Sequence, residues 1–499
     1  MAIVELETLT ATNPATGMVL GRVPVTPTGA VAEAVARARE AQAGWGKTRW
    51  AERQASLKRW WRVLSRDAGA WADAIRDEIG KPRVEALAGD VIPTLDGLRW
   101  TVRHGGKALR ATRLGSGHQR LLQIPGGRLS YRPVGVVGVI GTWNYPLFLN
   151  APPIAQALAA GNAVVWKPSE LAPLAGLKLQ QSLEEAGMPA GLVAAVFGGA
   201  EVGRALVEGD IGKGFFTGGI ENGRRVIGAL GARGIPAVAE LSGFDPAIIL
   251  PDASLASTVP SLTWAAFIAA GQTCVAVKRV YVVGDVRPWA VALAEQARAL
   301  RVGNPAKAGV DIGPMISESA RARFHAQVRA AVDAGAAVLA GGEPLAGPGW
   351  FYPPTVLKAS DAGPELALAG VFGPVVIVRD VPDVEAAIAA ANASPFGLAA
   401  SVWSRNTRSA LAVAGRLDAG MVTVNEAVTP TMHASAPFGG TKASGFGRTH
   451  GAFGLREFTQ PQVLYARRAG GFRPQLFPYG RLPVEGFLNV YRRLFLRAL

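Results

Sequence analysis

The chain has 499 residues, 49% hydrophobic and 18% charged, which is enough sequence for more than one structural unit and for large apolar cores. Its single cysteine excludes an intrachain disulfide and fits a reducing, cytoplasmic setting; no apolar run is long enough to cross a bilayer, and the acidic start Met1-Ala2-Ile3-Val4-Glu5-Leu6-Glu7 lacks the order of a signal peptide. The net charge of +15 is spread mostly as single arginines on helical patterns, and no zinc-finger spacing or RNA-binding aromatic signature accompanies it, so no specific nucleic-acid partner is expected.

Residues 13–24 (NPATGMVLGRVP) place turn signals between short apolar stretches and predict a small β-hairpin. Val31, Ala34, Val35, Ala38 and Ala41 recur at helical spacing, so Thr28 to Trp45 reads as a helix. A second helical region runs from Ala51 to Ile79, stopped by Gly80-Lys81-Pro82, and a third from Val84 to Leu109. Gly115 to Gly127 breaks the pattern as a protruding hairpin.

From Arg132 to Gly141 the chain is a continuous Val-rich run, as a buried parallel strand should be. It leads into Thr142-Trp143-Asn144-Tyr145-Pro146. A polar Asn there sits at a strand's carboxyl end, where open α/β sheets place ligands, although from the residues alone a turn-forming Asn before Tyr-Pro is the better reading. A βαβ alternation continues through Ala163 to Lys167, Leu192 to Phe197 and Gly214 to Gly219. Gly218 to Gly223 (GGIENG) puts glycines at a strand-to-helix turn, suited to close approach of a phosphate, but without the strict GxGxxG spacing. A second α/β unit follows, with strands at Arg279 to Val283, Ala337 to Leu339 and Val375 to Val378, and helices at Val286 to Leu300 and Glu318 to Ala334.

The one thiol, Cys274, lies in Gly271-Gln272-Thr273-Cys274, downstream of Ala239-Glu240-Leu241-Ser242-Gly243. A thiol and a carboxylate suit covalent catalysis at a carbonyl, and a lone cysteine is also a common small core residue.

Eight segments in order, NPATG, PVGVVGVIGTWNYP, GNAVVWKPSE, FTGG, ELSG, GQTC, FGPV and PFGGTKASGFGR, resemble the aldehyde dehydrogenase superfamily from about Asn13 to Leu464. The resemblance implies an α/β fold with a Rossmann-like cofactor domain (1–112 with 132–240), a catalytic α/β domain (241–430) and a small β arm for oligomerisation (113–131 with 455–466). By the same resemblance Cys274 is the nucleophile, Asn144 the oxyanion donor and Glu240 the base that hydrolyses a thioester. The presence of Glu240 argues against coenzyme A as the acyl acceptor. Lys167 and Glu170 match residues on the adenosine ribose, favouring NAD, with NADP as the alternative. Thr142, Trp143, Pro168, Ser169, Gly218, Gly219, Gly223, Leu241 and Phe372 match other cofactor-site positions. No metal is implied. The expected partners are a small aldehyde, hydrophobic by the apolar look of the segments near Tyr145, Thr273, Val275 and 428–436, and further copies of the chain as a homodimer or homotetramer.

Three positions depart from the family pattern. Gly219 replaces a serine, Ser242 replaces a glycine, and Gly370 stands where the family has the glutamate that holds the nicotinamide ribose. The last departure predicts a looser nicotinamide half and slower hydride transfer. It also supports the alternative of a weakly active or non-catalytic, membrane-associated scaffold.

The last 34 residues carry seven Arg and one Glu. Within this tail (467–499), Phe487, Leu488, Tyr491, Leu494, Phe495 and Ala498 form one stripe of a predicted helix, with Arg492, Arg493 and Arg497 mostly off it. Such a helix packs on its own subunit or a dimer partner, or lies on an anionic membrane, the tail being reminiscent of the fatty-aldehyde branch of the family.

Overall fold

The structure, a computed structural model, describes residues 7–115, 126–466, 477 and 484–496. Two open, mostly parallel sheets, each flanked by helices, face one another across a cleft. Continuous buried runs of Val, Ala and Ile make their strands, because a parallel strand is covered on both faces.

The first sheet contains β1 (Val136–Ile140), β2 (Ala163–Lys167), β3 (Val193–Ala195), β4 (Lys213–Thr217) and β5 (Ala237–Glu240). The second contains β6 (Asp245–Ile249), β7 (Val277–Val283), β8 (Ala337–Ala340), β9 (Thr355–Lys358), β10 (Val375–Val381), β11 (Ala399–Trp403) and β12 (Met421–Val424). Late in the chain β13 (Gly445–Phe446) returns to the first sheet and pairs antiparallel with β5, placing Gly445 opposite Glu240.

The strand orders are β13-β5-β4-β1-β2-β3 and β8-β9-β10-β7-β6-β11-β12. In the first sheet the chain starts at β1, builds outward through β2 and β3, then returns to add β4 and β5 on the other side. The order reverses between β1 and β4. Open α/β sheets bind ligands outside the carboxyl ends of the strands at such a point. Thr142 follows the end of β1 and Gly218 the end of β4.

The helix Thr28–Trp45 has the expected limits, and the first hairpin forms from strands Thr8–Thr12 and Val19–Pro24. The region expected as one helix from Ala51 to Ile79 is two, Trp50–Arg66 and Ala68–Ile79, separated at Asp67. The run expected as one strand from Arg132 to Gly141 also divides. Arg128–Pro133 pairs with Thr112–Arg113 and Thr459–Leu464 in a separate three-stranded sheet. The chain then turns at Gly135, whose φ of +103° favours glycine, before entering β1. Residues 116–125 of the expected protruding hairpin lie outside the described residues.

The tail forms a short helix, Val484–Tyr491, continued by a wider turn over Arg492–Leu496. Leu488, Val490 and Leu494 are exposed on it. Ala498, Arg497 and the side chains of Phe487 and Phe495 lie outside the described residues.

Candidate active site

The loop after β1 is fixed by a buried asparagine. Gly141 leaves no room for a side chain, since a Cβ would stand 2.1 Å from Asn150 Oδ1. Asn150 Nδ2 donates to the carbonyls of Thr142 (3.2 Å) and Pro146 (2.8 Å), closing the loop around itself. Inside it Thr142 Oγ1 donates to Asn144 Oδ1 at 2.9 Å, and Asn144 Nδ2 donates to the Gln272 carbonyl at 3.0 Å. The amide at the end of the first sheet therefore touches the segment that carries Cys274.

That segment is under backbone strain. Ala269 and Ala270 both have φ of +53°, and Gly271 has +64°. Two non-glycine residues in the left-handed region cost on the order of 1–2 kcal/mol each, and such strain gathers at functional sites. Local hydrogen bonds hold the shape. Glu85 accepts from the Ala269 N–H at 3.0 Å, Gln272 Nε2 donates to the Ala269 carbonyl at 3.1 Å, and Gln272 Oε1 accepts from the Ile316 N–H at 2.9 Å. Thr273 Oγ1 and the Tyr145 hydroxyl share a hydrogen bond of 2.8 Å.

Cys274 is a free, half-buried thiol. Burial pushes its pKa up to about 12, the negative potentials of Asp245 and Glu240 add to the rise, and the N–H groups of Val275 and Cys274 oppose it. The resting group is therefore the thiol, and thiolate forms only when a base or a donor set favours it.

Glu240 ends β5 and is buried, and neither of its carboxyl oxygens has a hydrogen-bond partner among the described residues. Burial holds its pKa well above the usual carboxylate range, against the pull of Arg448 and with a further push from Glu457. A buried carboxyl with unused hydrogen-bonding capacity, facing a cavity, is placed to accept a proton from water.

Cys274, Glu240 and Asn144 line a single cavity of about 590 Å³. Thr142, Trp143, Gly218, Gly219, Leu241 and Phe372 line it too. The Trp143 and Phe372 rings meet edge to face at 5.7 Å between centroids. Gly219 is the N-cap of the helix Ile220–Ala232, so the positive end of that helix faces the cleft.

The other expected residues stand off this wall. Lys167, buried at the end of β2, donates to Glu170 at 2.9 Å and to the Pro168 carbonyl at 3.1 Å. Burial opposes the charge of Glu170, but Lys167 and the local hydrogen bonds outweigh it and hold the carboxyl below its ordinary value. Ser169 Oγ accepts from the Leu171 N–H, and Leu171 is on the cavity wall. Gly223 lies one turn into its helix, where a Cβ would meet Leu241 Cδ2 at 2.4 Å; it lets helix and strand approach.

Gly370 lines the cavity with a φ of +74°. Nearby Glu365 is committed elsewhere, accepting from Arg379 and the Tyr281 hydroxyl at 2.6 Å each. Arg323 and Gln327, on the helix Glu318–Asp333, share the cavity wall with Gly370, and sequence reasoning did not single them out. Their signal was faint: two polar positions four apart on one helix face.

A second, smaller cavity lies on the other side of Cys274. Tyr145, Phe148, Val428, Met432, Phe438 and His450 are among the residues of its wall. His450 packs between Phe148 (5.3 Å) and Phe438 (5.9 Å), with Nδ1 buried and unpartnered among the described residues. Among the described residues no Lys, Arg, Asp or Glu lines this cavity.

The model of the aldehyde dehydrogenase family matches residues 3–464. The chain belongs to the aldehyde dehydrogenase family. It is 34% identical to a 4,4'-diapolycopene aldehyde oxidase of Methylomonas sp, over 97% of this chain and 90% of the relative. It is 35% identical to a betaine aldehyde dehydrogenase of Cereibacter sphaeroides, over 93% of this chain and 94% of the relative. The structure of Mycobacterium tuberculosis aldehyde dehydrogenase complexed with NAD+ superposes with a TM-score of 0.89 at 31% identity, covering 93% of this chain and 96% of that one. An E. coli NADP dependent enzyme superposes at 0.88 and 31%, covering 93% and 95%. As a family member the chain oxidises a small aldehyde with NAD(P) as hydride acceptor. Among the described residues no helix is long and apolar enough to cross a membrane.

Proposed function

We propose that Cys274, Asn144 and Glu240 carry the oxidation of a hydrophobic aldehyde to its carboxylic acid. The observation behind this reading is their convergence on one cavity where the two sheets meet. The Cys274 thiol gives its proton to water in the cavity as Sγ adds to the aldehyde carbon, and the resulting oxyanion is met by Asn144 Nδ2 and the Cys274 N–H. Departure of hydride from that carbon leaves a thioester on Cys274. Glu240 takes a proton from the water that attacks it, and the acid leaves.

The cleft fits a dinucleotide. It lies at the strand-order reversal, a helix N-terminus faces it, and the bare backbone at Gly219 has nothing within 4 Å of where a Cβ would stand. NAD(P) bound there supplies the hydride acceptor. Thr142, Trp143, Gly218, Leu241 and Phe372 would hold the nicotinamide and pyrophosphate portions, and Lys167 with Glu170 the adenosine ribose, backed by Pro168 and Ser169. An ionised Glu170 suits a ribose 2′-hydroxyl and repels a 2′-phosphate, so NAD is the preferred form. Arg323 would meet a cofactor phosphate beside Gly370. In this scheme 1–112 with 132–240 bind the cofactor, and 241–430 supply the nucleophile.

The second cavity would take the aldehyde chain. Its aromatic and aliphatic wall, free of formal charge, favours an uncharged substrate. The three-stranded sheet, with Val463 and Leu464 exposed, would pair copies into a homodimer or homotetramer in the cytoplasm. The exposed apolar residues and arginines of the tail helix suit peripheral contact with anionic membrane. Equal pelleting with anionic vesicles of the full chain and of a chain ending at Tyr465 would remove the membrane contact.

The deciding experiment follows reduced nicotinamide when the protein meets medium- and long-chain aldehydes. NAD and NADP run in parallel, with Cys274→Ala as control. Turnover that disappears in the variant is expected. Its absence across a broad panel, with cofactor still bound, would favour the scaffold alternative.

A further inference from the structure

Lys278 is the second residue of β7, and its side chain is buried. It does not line either cavity beside Cys274. Its ammonium donates to two carbonyls, Gly271 at 2.9 Å and Gly373 at 2.6 Å. Gly271 opens the segment Gly271-Gln272-Thr273-Cys274. Gly373 directly follows Phe372, which lines the cofactor cavity. One buried cation thus joins the backbone on the nucleophile side to the backbone on the cofactor side.

The junction is close. A Cβ on Gly271 would stand 2.2 Å from the Gly373 oxygen, so two peptide segments lie against each other there. Two carbonyl oxygens converging in a dry interior repel, and each needs a donor. An ammonium with three donors satisfies both at once.

The cost of this arrangement is a charge buried without an ion pair among the described residues. Burial pulls the Lys278 pKa down to about 7, and Asp245 holds it up from a distance. Asp245 is itself buried at the start of β6. Its Oδ1 accepts from the Ala399 N–H at 3.2 Å and its Oδ2 has no partner among the described residues. A buried, unpaired ammonium is poor material for stability, where an apolar side chain would serve better. Its position between the two walls of the site gives it a different use.

We propose that Lys278 is a positioning residue for hydride transfer. It clamps the Cys274 segment to the Phe372 segment and so sets the separation between the nucleophile-bound carbon and the nicotinamide. The inference rests on Cys274 being the nucleophile and on the cofactor occupying the larger cavity.

Lys278→Met keeps the length of the side chain and removes its donors. Three quantities are compared with the unaltered enzyme: cofactor affinity, the rate at which iodoacetamide alkylates Cys274, and single-turnover formation of reduced nicotinamide. The expected result is a loss of hydride transfer on the order of a hundredfold, with affinity and alkylation within about twofold, because a misplacement near 1 Å is felt at the reacting atoms first. Lys278→Gln, which retains an N–H donor, should fall between the two, and it decides the matter if the Met variant does not fold. Hydride transfer at the original rate per folded molecule would overturn the proposal. A parallel decline of all three quantities would overturn it as well, by making Lys278 a general structural residue. If the unaltered enzyme shows no Cys274-dependent turnover, the underlying assignment of the site has failed instead.

Discussion

Thr142 Oγ1 donates to Asn144 Oδ1 at 2.9 Å, which leaves the Asn144 amide only one orientation with its NH2 toward the Cys274 segment. In the proposed mechanism the hydroxyl is a latch on the oxyanion donor. Asn144→Ala should slow single-turnover hydride formation on the order of a hundred- to a thousandfold, the usual loss for one such donor. Thr142→Val removes only the latch and should lose about 1 kcal/mol, or roughly fivefold, on the same measurement.

Glu240 predicts a separation of the two half-reactions. In Glu240→Gln the thioester should form and persist, giving a burst of one reduced nicotinamide per Cys274 followed by slow turnover. The carboxyl must be ionised to accept a proton, and burial holds its pKa well above the usual range. Turnover of the unaltered enzyme should therefore fall as pH drops through that raised pKa. The residual turnover of the Gln variant should lack this limb.

Gly370 is constrained as well as unusual. With φ of +74°, and with Phe396 Cζ 3.3 Å from a Cβ, any side chain there is strained. Gly370→Ala and Gly370→Glu should each lose on the order of 1–2 kcal/mol in denaturant unfolding. The effect of a carboxylate is the difference between them. If the missing glutamate loosens the nicotinamide half, the Glu variant transfers hydride faster than the Ala variant; equal rates would remove the idea.

His450 makes acid destabilising. Burial between two phenylalanine rings, with a smaller contribution from His433, lowers its pKa to about 4. Between that value and its ordinary 6.5 the unfolded chain binds a proton that the folded chain does not. Stability from this residue is complete above the higher value and declines as pH falls toward the lower. By about pH 5 the loss amounts to about 2 kcal/mol. His450→Phe should flatten this part of the profile in denaturant titrations at about pH 5 and about pH 7.5.

The chemistry was legible because it is carried by short contiguous segments. Thr142 to Asn144, Ala239 to Ser242 and Gly271 to Cys274 each end or precede a buried strand, and an apolar run with a polar end is visible in one dimension. The break at Asp67 was not. Leu57, Trp60 and Leu64 before it and Trp71, Ile75 and Ile79 after it face one core, so the stripe looks unbroken, and Gly69 lies inside the second helix rather than at the break. Lys278 was equally hidden. Its two acceptors are main-chain carbonyls far apart in sequence, and a carbonyl leaves no trace in residue identity. Arg323 reaches the cleft from a helix whose pattern reports only which face is buried.

The pairing of β13 with β5 makes the strand of Glu240 depend on residues near the far end of the chain. Glu240 stands on a strand whose outer edge stays open until residues 445–446 arrive, after the whole second sheet has been made. A growing chain has made Cys274 long before it makes the strand beside Glu240, which comes near the end of the matched region. A chain cut between Glu240 and Asp245 would lack both Cys274 and the strand that covers the edge beside Glu240.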